Sequence, residues 1–469
     1  MSAAELVDLL ALDRKVARAH DLSERILASA RAAAAARRPE EERAPVDDPF
    51  VDLRETSTQS TFTALRELDP GLIGAPHRDG LLRWVHELCQ LRIGWPLVLD
   101  EIDAARAIDP SFPRRAPAAP RAAPAATYEE ACSRLVTAAS PRATAEALER
   151  LAALAAPVAA ARIELRARRH EAAHRLGLAH PWALVGAPCD ELAALAAAAL
   201  DETEALAVEL QRARRRRGAP DAPAEAISEG FALDAEEGWP ARLGVRWLED
   251  VFRTITQRPP RAVVLPEAVG GASFLRAARG WGHALRLRGT AASLPFALAR
   301  DPYAVDAYRL GGTLASAVAS PVFARRKLGL PARGADAHGR RLARTLFWTL
   351  RLEAAVVVAG MPVRPAPDAL EALGARVFGV PLPATLAAAW STGGFSGRSR
   401  VDAPARLVGS IHALSDARAL VDRFDEDWFD TPGAGAQLAA TSAGPVHRGD
   451  VPAGAEVAKI ARAFEEALG

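Results

Sequence analysis

The stretch Val263–Thr290, VVLPEAVGGASFLRAARGWGHALRLRGT, decides how the rest of the chain is read. A short apolar, strand-like run, Val263–Leu265, meets Pro266, and a Gly270–Gly271 turn follows. From Ala272 onward the apolar residues recur at helical spacing, so a helix is expected over 272–288. The same spacing puts Arg276, Arg279, His283 and Arg286 on one face. Such a cationic stripe could receive a carboxylate, for instance a peptide C-terminus. It could equally be consumed by internal pairs with Asp or Glu. A guanidinium has no lone pair for a metal ion, so the stripe repels a divalent cation.

Gly270-Gly271, Phe274 and Gly282-His283-Ala284-Leu285 resemble the active-site helix of zinc peptidases of the thimet oligopeptidase/oligoendopeptidase F family. Members carry HExxH there: two histidines one helical turn apart hold Zn²⁺, and the glutamate is the general base. Here the five positions are Arg279, Gly280, Trp281, Gly282 and His283, so one histidine remains and the base is gone. The family's third ligand is a glutamate from the next helix. Between Glu267 and Glu353 this chain has no glutamate, and Gly311–Phe323, GGTLASAVASPVF, stands where the family has a TE phrase. Asp301, Asp306 and Asp336 are oxygen donors outside that phrase.

Two further phrases carry the resemblance. Phe424, Asp427, Trp428, Phe429, Pro432, Ala434, Gly435 and Leu438 match the family's closing FG-x-DWW-x-x-P-x-AG-x-x-L. In active members, tyrosines of the preceding loop stabilise the oxyanion. Ser396, Arg398 and Ser399 stand in that loop here, and the last tyrosine is Tyr308. Upstream, Arg168–Gly177, RRHEAAHRLG, resembles the arm phrase RRNEAAR-x-LG. The likeness runs in order over roughly residues 130–445.

The resemblance implies a mainly α, two-lobed, multi-helix fold with a central channel and a small β-sheet, the strands falling around Phe231–Phe252 and the run before Gly270. The chain then divides into an N-terminal helical region (1–109), a Pro/Ala/Arg linker or loop (110–126) and an oligopeptidase-like helical region (127–469). Ligands, base and tyrosines are lost together while the framework phrases persist. The expectation is therefore a catalytically inactive, peptidase-like protein without catalytic residues or cofactor, its vestigial site marked by Arg279, Gly280 and His283. It would bind a peptide or protein, or serve as regulatory subunit to an active relative.

The competing expectation is an active zinc metallopeptidase, built either around His283 or on His170-Glu171-Ala172-Ala173-His174, a literal HExxH. Glu191, Glu202 or Glu204 could supply its third ligand. Against this second site, the motif lies in an arginine- and alanine-rich arm helix and replaces ordinary arm residues. Other candidates carry less. His86-Glu87 with Cys89 reads as a half-buried helix face, His412 as a packed or capping histidine, and Trp281 with Phe274 as core anchors. Gly433–Leu438, GAGAQL, lacks the preceding strand and the lysine of a phosphate loop. Arg212–Arg217 suits a helix C-terminus.

Composition narrows the partners. The 469 residues carry 59 Lys+Arg against 58 Asp+Glu, a net charge of +1, so no global field draws in nucleic acid or an anionic membrane. Cys89, Cys132 and Cys189 are few and far apart, which offers no metal spacing or disulfide framework and fits a reducing compartment. No apolar run reaches the roughly 20 residues needed to span a bilayer. The beginning, MSAAELVDLLALDRK, lacks a secretory pattern, and a cytoplasmic location is expected.

Overall fold

The computed structural model describes residues 9–35, 48–69, 74–107, 127–137, 141–216, 245–256, 271–291, 293–392, 402–443, 452 and 454–468. Among these residues every regular element is helical and no strand occurs. The chain is mainly α, as its alanine- and leucine-rich periodicity dictates. No helix among them is long and apolar enough to cross a membrane.

The first layer is α1 (Leu9–Ala35), α2 (Gln59–Glu67) and α3 (Ala75–Arg106). Val16, Ala19, Phe62, Leu81, Val85 and Leu88 are buried between them. Thr58 caps α2 by accepting the Thr61 N–H at 3.2 Å, which satisfies one of the donors left open at a helix start. Asp13 of α1 plays the same part at long range for the short α10 (Phe296–Ala299). Its carboxylate accepts the N–H groups of Phe296 and Ala297 at 2.7 and 2.9 Å.

Next come α4 (Tyr128–Thr137), α5 (Pro141–Arg175), α6 (Cys189–Glu202) and α7 (Glu204–Arg216). They share the largest apolar core with α13 (Ala332–Gly360), α14 (Pro367–Phe378), α15 (Ala384–Trp390), α16 (Ala403–Phe424) and α18 (Gly454–Leu468). Helix α3 packs directly along α5. A third core joins α8 (Val245–Thr256), α9 (Gly271–Gly289), α11 (Val305–Val318), α12 (Pro321–Leu328) and α17 (Pro432–Ala443), closed by Trp281, Phe323, Trp428 and Phe429.

Helix α9 lies along α11, and α11 along α16, at a spacing only small residues permit. A Cβ added at Gly282 would come within 2.1 Å of the Ala307 carbonyl oxygen, and one at Gly311 within 2.2 Å of the Arg279 carbonyl oxygen. Gly409 does the same for α16, where an added Cβ would meet the Tyr308 Cβ at 2.5 Å. This close approach brings side chains from three helices to one place.

The sheet expectation needs correction where it can be checked. Within Phe231–Phe252, residues 245–252 belong to helix α8. Val251 and Ile255, one turn apart, face the core while Asp250, Arg253 and Thr254 face solvent, a helical rather than alternating pattern. The remainder of that stretch, the run Val263–Leu265 and the segment 110–126 lie outside the described residues.

Candidate functional site

Helix α9 carries Arg279, Gly280 and His283, and Arg279 is engaged by groups of the chain itself. Arg279 donates through Nη2 to Glu353 Oε1 at 2.6 Å and to Ser410 Oγ at 2.8 Å. Ser410 in turn donates to the other oxygen of the same carboxylate at 2.7 Å. Arg406 approaches Glu353 Oε1 at 3.6 Å. One carboxylate from α13 is thus held by a guanidinium from α9 and by a hydroxyl and a second guanidinium from α16. Glu353 is only 7% exposed. Burial works against the Arg406 charge, but Glu353, Tyr308 and Asp402 more than offset it and hold its pKa above the usual guanidinium value.

One turn on, the His283 ring meets the Tyr308 ring edge-on at 4.9 Å between centroids. Tyr308 lies on α11, two helices on from α9. Its hydroxyl donates to Asp402, and the Arg406 guanidinium sits 5.4 Å over its ring. Arg286, a further turn along, is buried; its Nη1 donates to the Ser442 carbonyl at 2.8 Å, near the C-terminal end of α17, and its Nε lies 3.8 Å from Asp306. Burial lowers the Arg286 pKa, opposed by Asp306 and Asp301. Gly280 is exposed and carries no side chain for a base. The side chain of Arg276 lies outside the described residues.

A zinc ion does not fit these groups. Arg279 is a cation already engaged by Glu353, and the ring facing His283 is a tyrosine whose hydroxyl is committed to Asp402. Among the described residues, no group of three or more His, Cys, Asp or Glu is arranged to hold a metal. Asp301 sits 3.4 Å from Arg83, and Asp336 is exposed on α13.

The two histidines of the second HExxH share α5 but differ in burial. His170 is 4% exposed and packs edge-on against His180 at 4.6 Å. His174 is exposed. Glu171 is bound on the surface by Arg168 at 2.9 Å and by Arg175. Glu204 pairs with Arg351 and Arg376, both at 2.9 Å, while Glu191 and Glu202 are exposed on α6. Burial, and then the charges of His180, Arg166 and His174, push the His170 pKa down to about 4.

The remaining candidates settle into structural places. His86 hydrogen-bonds Tyr303 through Nδ1 at 2.9 Å and Gln90 through Nε2 at 2.9 Å, and burial drives its pKa down to about 3. Beside it burial raises Glu87 to about 7 and Cys89 to about 12. His412 is half-buried on α16, and Trp281 is buried. Gly433–Leu438 lies inside helix α17. At the basic end of α7, Arg214 is buried and Arg215 donates to the Gly379 carbonyl at 3.3 Å. Arg217, the side chain of Phe274 and the loop of Ser396, Arg398 and Ser399 lie outside the described residues.

Sequence reading missed Glu353, Ser410, Arg406, Tyr308 and Asp402. No motif links them; they meet because α9, α11, α13 and α16 converge. No protein-family model matches the chain, and no curated protein is significantly similar to it.

Proposed function

We propose that this chain is a catalytically inactive relative of the oligopeptidases, with their two-lobed, channel-bearing architecture and small sheet. It binds a peptide or protein in the former channel, or acts as regulatory subunit to an active relative, in the cytoplasm and without zinc. The observation that carries the reading is the closed pair at Arg279. Where the family places its first zinc histidine, this chain places a guanidinium and anchors it with Glu353 and Ser410. A guanidinium cannot ligate a metal. With Gly280 in place of the glutamate, nothing on that turn takes a proton from water. Of the two alternatives for the α9 stripe, an outside anion or an internal pair, Arg279 has the internal pair with Glu353.

The test is to incubate the protein with a defined pool of unstructured peptides, separate it by gel filtration, and read both fractions by mass spectrometry. Peptides should co-elute with the protein and stay intact. Cleavage of any peptide, abolished by His283→Ala, would make the chain an enzyme. Absence of all co-eluting peptides would remove the peptide-binding part.

A further inference from the structure

Beside His170 a second cationic site opens, independent of the α9 helix and of the peptidase reading. A small, half-open pocket of about 40 Å³ lies between α5, the turn following it, the C-terminal end of α13, and Ser391–Thr392 after α15. Arg162, Arg166, Arg169, His170, His180 and Trp182 line it, and no Asp or Glu does so among the described residues.

The three guanidiniums differ in how they are satisfied. Arg162 is neutralised by Glu101 at 2.8 Å and also donates to the Ala389 carbonyl at 2.7 Å. Arg166 donates only to main-chain oxygens, Ala359 at 2.9 Å and Ser391 at 3.3 Å. These cap helix ends but supply no full negative charge. Arg169 makes no hydrogen bond or ion pair among the described residues; Glu87, Glu101 and Asp402 act on it only through longer-range attraction. Burial, and then repulsion from Arg169, bring the Arg166 pKa down to about 10. The imidazoles add donors. His180 accepts the Trp182 N–H at Nδ1, 3.0 Å away, which leaves its proton on Nε2. His170 Nε2 is buried with no hydrogen-bond partner among the described residues. Buried polar atoms are normally paired, and an orphan lining a pocket marks a group awaiting a partner.

We propose that this pocket binds a small molecule through an oxyanion group, a carboxylate or a phosphate, clamped between Arg166 and Arg169 and hydrogen-bonded to His170 Nε2. Such a group relieves the repulsion between the two guanidiniums and satisfies the orphaned nitrogen. Arginine forks match both anions bidentately. Trp182 forms one wall, held by Gly360, whose added Cβ would collide with its ring at 2.0 Å. Its indole therefore reports on occupancy.

The test titrates the full chain at constant ionic strength with inorganic phosphate, phenyl phosphate, succinate and, as control, chloride, following heat and tryptophan fluorescence. Saturable binding at one site per chain is expected for the phosphates or for succinate, and which of them saturates identifies the anion. Arg169→Gln should weaken it by about tenfold or more, the loss of a charge-assisted bond. That variant breaks no internal bond, so its Tm should equal or exceed the parent's. Arg166→Gln should weaken binding too but also lower Tm, since it uncaps two carbonyls. A fluorescence change unique to the site should vanish in Trp182→Phe. No saturation with any probe, equal response to chloride, or unchanged affinity in Arg169→Gln would overturn the proposal.

Discussion

Arg279 and Glu353 are unequal partners, and that inequality can be measured. Replacing Glu353 leaves two guanidiniums, Arg279 and Arg406, without their shared carboxylate. Replacing Arg279 leaves Glu353 with Arg406 at 3.6 Å and Ser410 at 2.7 Å. Removing one partner of a buried pair costs about 3–5 kcal/mol when the other charge is stranded. Glu353→Ala should reach that range, and Arg279→Ala should stay near 2 kcal/mol because part of the network survives. Urea unfolding of both variants and the double variant checks this, with the double expected to cost less than the sum of the singles. Equal costs, or additivity, would mean the three groups are not one network. At this scale helical spacing puts Arg279 and His283 on one face and shows no side chain at Gly280; that these stand at ligand and base positions is what the resemblance implies. Glu353 lies 74 positions away on another helix, and no spacing rule connects them.

The elements themselves were largely written in their periodicity. The helix expected from Ala272 is α9, and the helical region expected from residue 127 opens with α4 to α7. What periodicity hid was distance between helices. Gly282 entered the sequence reading only as part of the GHAL likeness, yet it has a packing duty, as does Gly311 opposite it. Both face main-chain atoms, which cannot swing aside as a side chain can. Gly282→Ala and Gly311→Ala should therefore each destabilise by about 3 kcal/mol, the upper end for overpacking. Gly334→Ala in α13 is the contrasting case: its new methyl would meet only Pro331 and Leu330 at ordinary contact distances of 3.6 Å and beyond. That change should stabilise by about 0.5–1 kcal/mol through helix propensity. Comparable effects at all three positions, read by thermal melts, would contradict the close crossing. Helix α8 was missed because the expectation of strands came from the resemblance; Val251 and Ile255 by themselves spell a helix.

For the whole molecule, the buried histidines set the response to acid. Burial lowers the pKa of His20, His86, His170, His180 and His338, with His86 near 3 and His170 and His338 near 4. A histidine held neutral in the fold takes up its proton more readily when unfolded. Each therefore destabilises the fold progressively as pH falls from about 6.5, the unperturbed value, towards its own lowered value. Glu87, raised to about 7 by burial, acts in the opposite sense: the fold holds its proton above pH 4.5 where the unfolded chain releases it. Asp301 is raised as well. The histidines outnumber these two groups, so Tm should drop between pH 7.5 and pH 5; a Tm that holds or rises would contradict the buried, neutral assignment. The central claim, that a zinc site has been replaced by an internal ion pair, is tested most directly by metal content. The protein is equilibrated with zinc, desalted and analysed by plasma mass spectrometry, beside His283→Ala and His174→Ala. The expected result is no stoichiometric zinc in any of the three. One zinc per chain, lost on changing His283, would mean that the α9 site still holds metal, and one lost on changing His174 would move the catalytic centre to α5.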